Sequence, residues 1–415
     1  TRPLLVMFCF AFALLLSIAS IFSTRFDSDI FQLFPSRQPA LKLMLDVRFF
    51  DSGSGSQPVL QLPPALANAL AALQPGGVIL FRENLESVAQ IAALTAQIRQ
   101  CLSPATLIAV DQEGGRVTRL PREQVTSFSG NMALAACPGQ DRAALARAMG
   151  AAQGEELAAL GININFAPTL DVNSNPQNPV INVRAFGDDP ATVASLGAEV
   201  VSGLQGAGVA AAVKHFPGHG DTSLDSHTHL PRVLRDRRSA ETIDLAPFAK
   251  VIGESAPAMV MSAHIQYPSL DDTTLIDKNG VQQVVPATLS KRILTDLLRN
   301  QLGYDGLVVT DALDMAGIAQ FFTQEEAMVR AFNAGADIAL MPFIIRNKQD
   351  IARFIQLLDN VAKTLYSQKE SRAAQRASFA RITKTKQRFQ LERFVSKPVT
   401  WWIDEAEENQ DIKYN

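Results

Sequence analysis

Apolar residues along this chain recur in short runs separated by longer segments of helical periodicity. Eight runs stand out, at residues 43–49, 77–81, 106–110, 163–167, 209–213, 258–263, 307–310 and 337–341. They are apolar on both faces, the pattern of buried parallel strands rather than of strands with one wet face. Between them the spacing predicts helices, for example at 87–101, 142–160, 190–205, 240–254, 290–301 and 324–333, with an eighth at 347–367. Gly161, Gly206, Gly303 and Gly335 stand where helices should end, and Pro190 stands where one should begin. Strand and helix alternate eight times. The order predicts an α/β protein built as a single (β/α)8 barrel. A doubly wound open sheet is the alternative, weakened because no G-x-G-x-x-G follows a first strand.

The two ends read differently. Leu4 to Phe22 is almost unbroken apolar sequence between Arg2 and Arg25, long enough for a membrane-spanning helix or an export signal. The expected organisation is a signal peptide or membrane anchor at 1–23, a linker at 24–40, the barrel with a C-terminal helix at 41–395, and an acidic tail at 396–415. The basic stretch 369–393 reads as a solvated outer helix. Export to the periplasm or cell envelope follows as an expectation, with possible membrane association through Leu4–Phe22. The formal net charge of −3 gives no case for a nucleic-acid partner. Three cysteines, Cys9, Cys101 and Cys137, are too few for a disulfide framework and leave a Cys101–Cys137 bridge open.

A barrel of this kind should collect its chemistry where strands end. The third run ends in DQEGGR from Asp111, the fourth in PTLDVN from Pro168, the fifth in Lys214-His215, the sixth in SAH up to His264, and the seventh in TDALD from Thr310. Any one of these could be a helix cap or a turn. Five together are harder to assign to capping. The densest chemistry follows the fifth run. Of five histidines, four (His215, His219, His227 and His229) fall in one loop, with Asp221 and Asp225 between them. Hydrogen bonding within a loop is one reading. A metal site is another, although the spacings match no standard ligand pattern. Acid–base chemistry is the third, since Asp225 stands two residues before His227 and could orient its ring.

The long element KHFPGHGDT followed by DSHTHLP resembles the β-N-acetylhexosaminidases of glycoside hydrolase family 3. Further similar elements stand in order: VDQEGGRV, NFAPTLDVN, NPVINVRAFG, MSAHI and VVTDALDM. The resemblance covers roughly residues 41–389. It implies a (β/α)8 barrel and retaining removal of terminal, non-reducing β-linked N-acetylglucosamine. It implies Asp311 as nucleophile, His227 as general acid–base and Asp225 as its partner. Asp111, Arg119, Arg184, Lys214 and His215 would hold the sugar. No metal and no organic cofactor is implied. Peptidoglycan fragments and chitooligosaccharides both end in the required sugar, and oligomeric state is not encoded in any visible pattern. Rival readings are a family 3 β-glucosidase, a phosphorylase using phosphate in place of water, and a catalytically silent glycan-binding envelope protein.

Overall fold

In the computed structural model, residues 37–138 and 141–391 are described. Eight parallel strands form the centre: β1 Leu43–Asp46, β2 Gly77–Ile79, β3 Leu107–Val110, β4 Ile164–Asn165, β5 Ala210–Phe216, β6 Met259–Ser262, β7 Leu307–Thr310 and β8 Ala339–Leu340. Hydrogen-bonded neighbours run from β7 through β6, β5, β4, β3, β2 and β1 to β8. A parallel bridge between Val309 and Ile338 joins the two outer strands and closes the barrel. Each strand is followed by a helix: α1 Pro64–Leu73, α2 Val88–Cys101, α3 Arg142–Ala159, α4 Pro190–Gly206, α5 Leu245–Ser255, the π-wound α6 Arg292–Gln301, α7 Gln324–Ala334 and α8 Lys348–Ser367. This is the (β/α)8 barrel that the run order predicts.

The period-2 alternation of the strands divides the core in two. Met44, Ile79, Leu107, Ala109, Ile164, Met259 and Val309 fill the inside of the barrel. Their neighbours Leu43, Leu45, Val78, Ile108 and Val110 face the helices. Local signals set the helix starts. Ser87, Asp141 and Asp189 cap α2, α3 and α4 with side-chain oxygens, and Thr323 with Glu326 forms a capping box on α7.

Strand lengths depart from the apolar runs in both directions. β4 is shorter than its run, and beyond Pro168 pairing resumes at the Thr169–Lys214 bridge. β5 outlasts its run, carrying Lys214 and His215 inside the ladder. Ionic partners satisfy both side chains there, so burial does not end the strand.

The basic C-terminal segment is not a solvated outer helix. α9, Lys369–Arg388, lies across the N-terminal floor of the barrel. Its Ile382, with Phe389 and Leu391 beyond, joins the barrel-interior core. Arg381 pairs at 2.8 Å with Asp337 just ahead of β8, and Lys42 Nζ just ahead of β1 donates to Gln375 Oε1 at 2.5 Å. The buried face of α9 runs through Ser371, Gln375, Ser378, Ile382 and Thr385, so small and polar side chains as well as Ile382 seat it against the barrel.

Arg37–Ala40, the end of the expected linker, forms a single helical turn. The Leu4 to Phe22 segment and the acidic tail at 396–415 lie outside the described residues. Among the described residues no helix is long and apolar enough to cross a membrane. Cys101 and Cys137 are both free thiols.

Candidate active site

A cavity of about 820 Å³ opens at the carboxyl ends of the strands. Asp111, Arg119, Arg184, Lys214, His215, His227 and Asp311 all line it. Asp225 stands behind the wall, bonded to His227.

Three strand ends supply a dense ionic cluster. Lys214 Nζ, from β5, lies 2.7 Å from Asp111 Oδ1 and 2.6 Å from Glu113 Oε1, both just past β3. Arg184 grips the same Glu113 in a two-pronged contact, Nε to Oε2 at 2.9 Å and Nη2 to Oε1 at 2.7 Å. Burial alone would raise the Glu113 carboxyl, but Arg184 and Lys214 outweigh it and hold it far below the usual carboxylate range. Burial pulls Lys214 down, and Asp111 with Glu113 more than restores it above its ordinary value. His215 is oriented by Asp171: its Nδ1 lies 2.7 Å from Asp171 Oδ2, which leaves Nε2 facing Arg184 at 3.5 Å. Arg119 donates its backbone N–H to Gln112 Oε1, while its buried Nε has no hydrogen-bond partner among the described residues.

Asp311 follows β7 directly, so the barrel aims it. Its Oδ1 accepts the Ala312 N–H at 2.8 Å. The short helical turn Ala316–Ala319 starts beyond it with Met315 at the cap position, so Asp311 is not a helix cap. Burial opposes its charge, but His264 and His215, with the Ala312 N–H, keep its pKa below the ordinary value. His264 braces this backbone, Nε2 lying 2.9 Å from the Ala312 carbonyl.

The histidine-rich loop divides its residues between inside and outside. His227 Nδ1 meets Asp225 Oδ1 at 2.7 Å, and the His227 backbone N–H donates to the same oxygen at 2.8 Å. The His227 side chain is 62% exposed, so the pair sits at the mouth. His219 is buried and bonds within the loop, to Thr222 and Ser226. His229 bonds to Thr228. The four histidines therefore take separate partners, and the described residues hold no group of three His, Cys, Asp or Glu placed to share a metal.

Sequence reasoning marked the DQEGGR and PTLDVN elements as polar strand ends without giving Glu113 or Asp171 a role. Both are central: one ties Lys214 to Arg184, the other sets the His215 ring. Glu113 stands three residues past β3 and Asp171 six past β4, and several polar neighbours stand at similar distances.

Carboxylates and histidines converge on the carboxyl-terminal mouth of a closed parallel barrel, which makes this a (β/α)8-barrel protein with its chemistry at the strand ends. The comparisons agree. The family model described as glycosyl hydrolase family 3 N terminal domain matches residues 49–384. Beta-hexosaminidase A of Pseudoalteromonas piscicida is 48% identical over 356 residues, 83% of this chain and 60% of that protein. A beta-hexosaminidase of Alkalilimnicola ehrlichii is 40% identical over 285 residues, 66% of this chain and 78% of the relative. The solved family 3 beta-N-acetylglucosaminidase from Paenibacillus sp. shares 38% identity at a TM-score of 0.74, over 88% of this chain and 64% of that one. The chain belongs to glycosyl hydrolase family 3. It spans 60% of the length of its Pseudoalteromonas relative.

Proposed function

We propose that this protein is a retaining β-N-acetylhexosaminidase. It would release terminal, non-reducing β-linked N-acetylglucosamine from peptidoglycan fragments or chitooligosaccharides. The observation that carries the reading is one cavity shared by Asp311, at a rigid strand end, and His227 on its loop. Retention needs a nucleophile below the anomeric carbon and a proton donor above the glycosidic oxygen.

In the first step a carboxylate oxygen of Asp311 attacks the anomeric carbon. The Ala312 N–H occupies Oδ1, which leaves Oδ2 free. His227, protonated, gives its Nε2 proton to the departing oxygen, and a glycosyl ester on Asp311 results. In the second step the neutral imidazole takes a proton from water, the water oxygen bonds to the anomeric carbon, and the Asp311 carboxylate leaves. Asp225 at Nδ1 turns Nε2 toward the sugar throughout. Asp111, Arg119, Arg184, Lys214 and His215 bind the sugar's hydroxyls and acetamido group. The names of the relatives support this assignment. Export through the Leu4 to Phe22 segment is part of the proposal, and cell fractionation tests it.

The test is release of nitrophenol from the β-N-acetylglucosaminide and the β-glucoside by the wild type and Asp311→Ala. Turnover of the first alone, reduced at least about 1000-fold in the variant, is the expected result. Activity that survives the substitution removes Asp311 from the mechanism. Turnover of neither substrate favours a glycan-binding role.

A further inference from the structure

Resting on that reading, we infer that His219 is a positioning residue that fixes the acid–base loop, through Ser226, against the sugar-binding cluster. The three residues of the D-S-H element divide between two surroundings. His227 lines the mouth with Asp225 partly exposed behind it, while Ser226 between them is 2% exposed. Ser226 Oγ lies 3.0 Å from Nε2 of His219, which is itself 1% exposed.

Both ring nitrogens are engaged. Thr222 Oγ1 lies 2.8 Å from Nδ1 of His219 and 3.0 Å from the His219 carbonyl oxygen, and Ser226 Oγ lies on Nε2. A neutral imidazole has one donor and one acceptor nitrogen, and hydroxyls can serve either, so the ring is held from both sides. Burial, reinforced by His215, presses the His219 pKa down to about 4, so the ring is neutral at ordinary pH and keeps this arrangement.

The other side of His219 is tied to the sugar-binding cluster. Its backbone N–H donates to Asp171 Oδ1 at 2.7 Å, while Asp171 Oδ2 holds Nδ1 of His215 at 2.7 Å. One buried carboxylate therefore sets both a sugar-facing imidazole and the root of the loop. The Ser226 carbonyl is also gripped. It accepts the Gly317 N–H at 3.2 Å, and a Cβ on Gly317 would come within 2.9 Å of that oxygen. Ser226 is thus pinned from its side chain by His219 and from its backbone by the segment that follows Asp311. Pinning the residue between the two members of an exposed pair fixes where that pair hangs. A proton donor displaced by about 1 Å loses much of its effect.

The test compares wild type, Ser226→Ala, His219→Ala and His227→Ala on two substrates. Chitobiose has a poor leaving group that needs a proton. The 2,4-dinitrophenyl β-N-acetylglucosaminide leaves without one. For Ser226→Ala and His219→Ala the expected result is a fall in kcat/KM, which reports the first step alone, of at least about tenfold on chitobiose and under about threefold on the dinitrophenyl substrate, the same split as His227→Ala. Ser226→Ala removes a single hydroxyl and stands as the test if His219→Ala fails to fold. Equal losses on both substrates, or no loss on chitobiose, overturn the inference. If His227→Ala shows the split and Ser226→Ala behaves as wild type, the inference falls while the glycosidase reading stands. A wild type inactive on both substrates takes both down.

Discussion

Arg184 and Glu113 meet edge to edge, with two hydrogen bonds of 2.9 and 2.7 Å, and Glu113 at the same time holds Lys214 at 2.6 Å. One buried carboxylate thus bridges two cations, and Asp111, 2.7 Å from Lys214, supplies the second negative charge. Glu113→Gln is expected to destabilise the fold by about 3–5 kcal/mol, because it leaves buried charge uncompensated. Urea unfolding at pH 7 measures it. The pH dependence has a definite sign. Folding depresses the Glu113 pKa, so the folded state binds that proton less tightly than the unfolded chain. Its contribution is complete above the ordinary value of 4.5 and is lost as pH falls below it toward the folded pKa. The acid side of the stability profile should therefore flatten in Glu113→Gln.

Asp314 carries the opposite sign. It lines the same cavity, but Asp46 takes both nearby guanidiniums, Arg48 at 3.2 Å and Arg346 at 2.5 Å. Burial first, and then Asp46, push the Asp314 carboxyl up to about 6. The folded state therefore holds this proton more tightly, and stability falls as pH rises from about 4 to about 6. Asp314→Asn should be more stable than wild type by about 1 kcal/mol at pH 7 to 8, with the gap closing below pH 4. Melting temperatures across pH 3.5 to 8 test it; a constant gap, or none, refutes it.

The loop reaches its place only because Gly220 has no side chain. A Cβ there would stand 1.7 Å from the Val172 carbonyl oxygen, a backbone atom that cannot step aside. Gly220→Ala should displace the loop, lowering kcat by at least about 100-fold and stability by about 2 kcal/mol or more. Steady-state kinetics together with thermal melting check the pair of effects.

The floor of the barrel should behave differently from its mouth. Ile382→Ala on α9 removes a side chain from the barrel-interior core and should destabilise by about 2–4 kcal/mol. At 25 °C its kcat/KM should stay within about twofold of wild type, because α9 packs at the end of the barrel opposite the cavity. A tenfold loss of activity in a folded variant would show that floor and mouth are coupled.

Much of this molecule was legible in the residue order. Strands buried on both faces must be apolar throughout, so the runs ending at Val110, Val213 and Thr310 marked their strands and also marked Asp111, Lys214 and Asp311 as the residues just beyond. D-S-H carried its own geometry, since a carboxylate two residues from an imidazole can reach it inside one loop. These are local relations, written in neighbouring residues.

What the sequence left open was set by contacts between distant segments. It put Asp111, Gln112 and Glu113 side by side, but only the closed barrel selects Glu113 to stand between Lys214 and Arg184, 101 and 71 residues away in the chain. It offered α9 as a basic, solvated helix. Burying Ile382, Phe389 and Leu391 under the barrel outweighs that charge, because apolar area removed from water rewards docking, Arg381 pairs with Asp337, and Arg372, Arg376, Lys384 and Arg388 stay exposed. It showed His219 as one histidine among four. Burial between Thr222 and Ser226, above a carboxylate shared with His215, separates it from the exposed His227. Periodicity determined the elements and the ends that carry chemistry. Barrel closure decided which charges meet, because pairing across the barrel depends on strand register and on the shared exclusion of water, and neither is written in any short stretch of sequence.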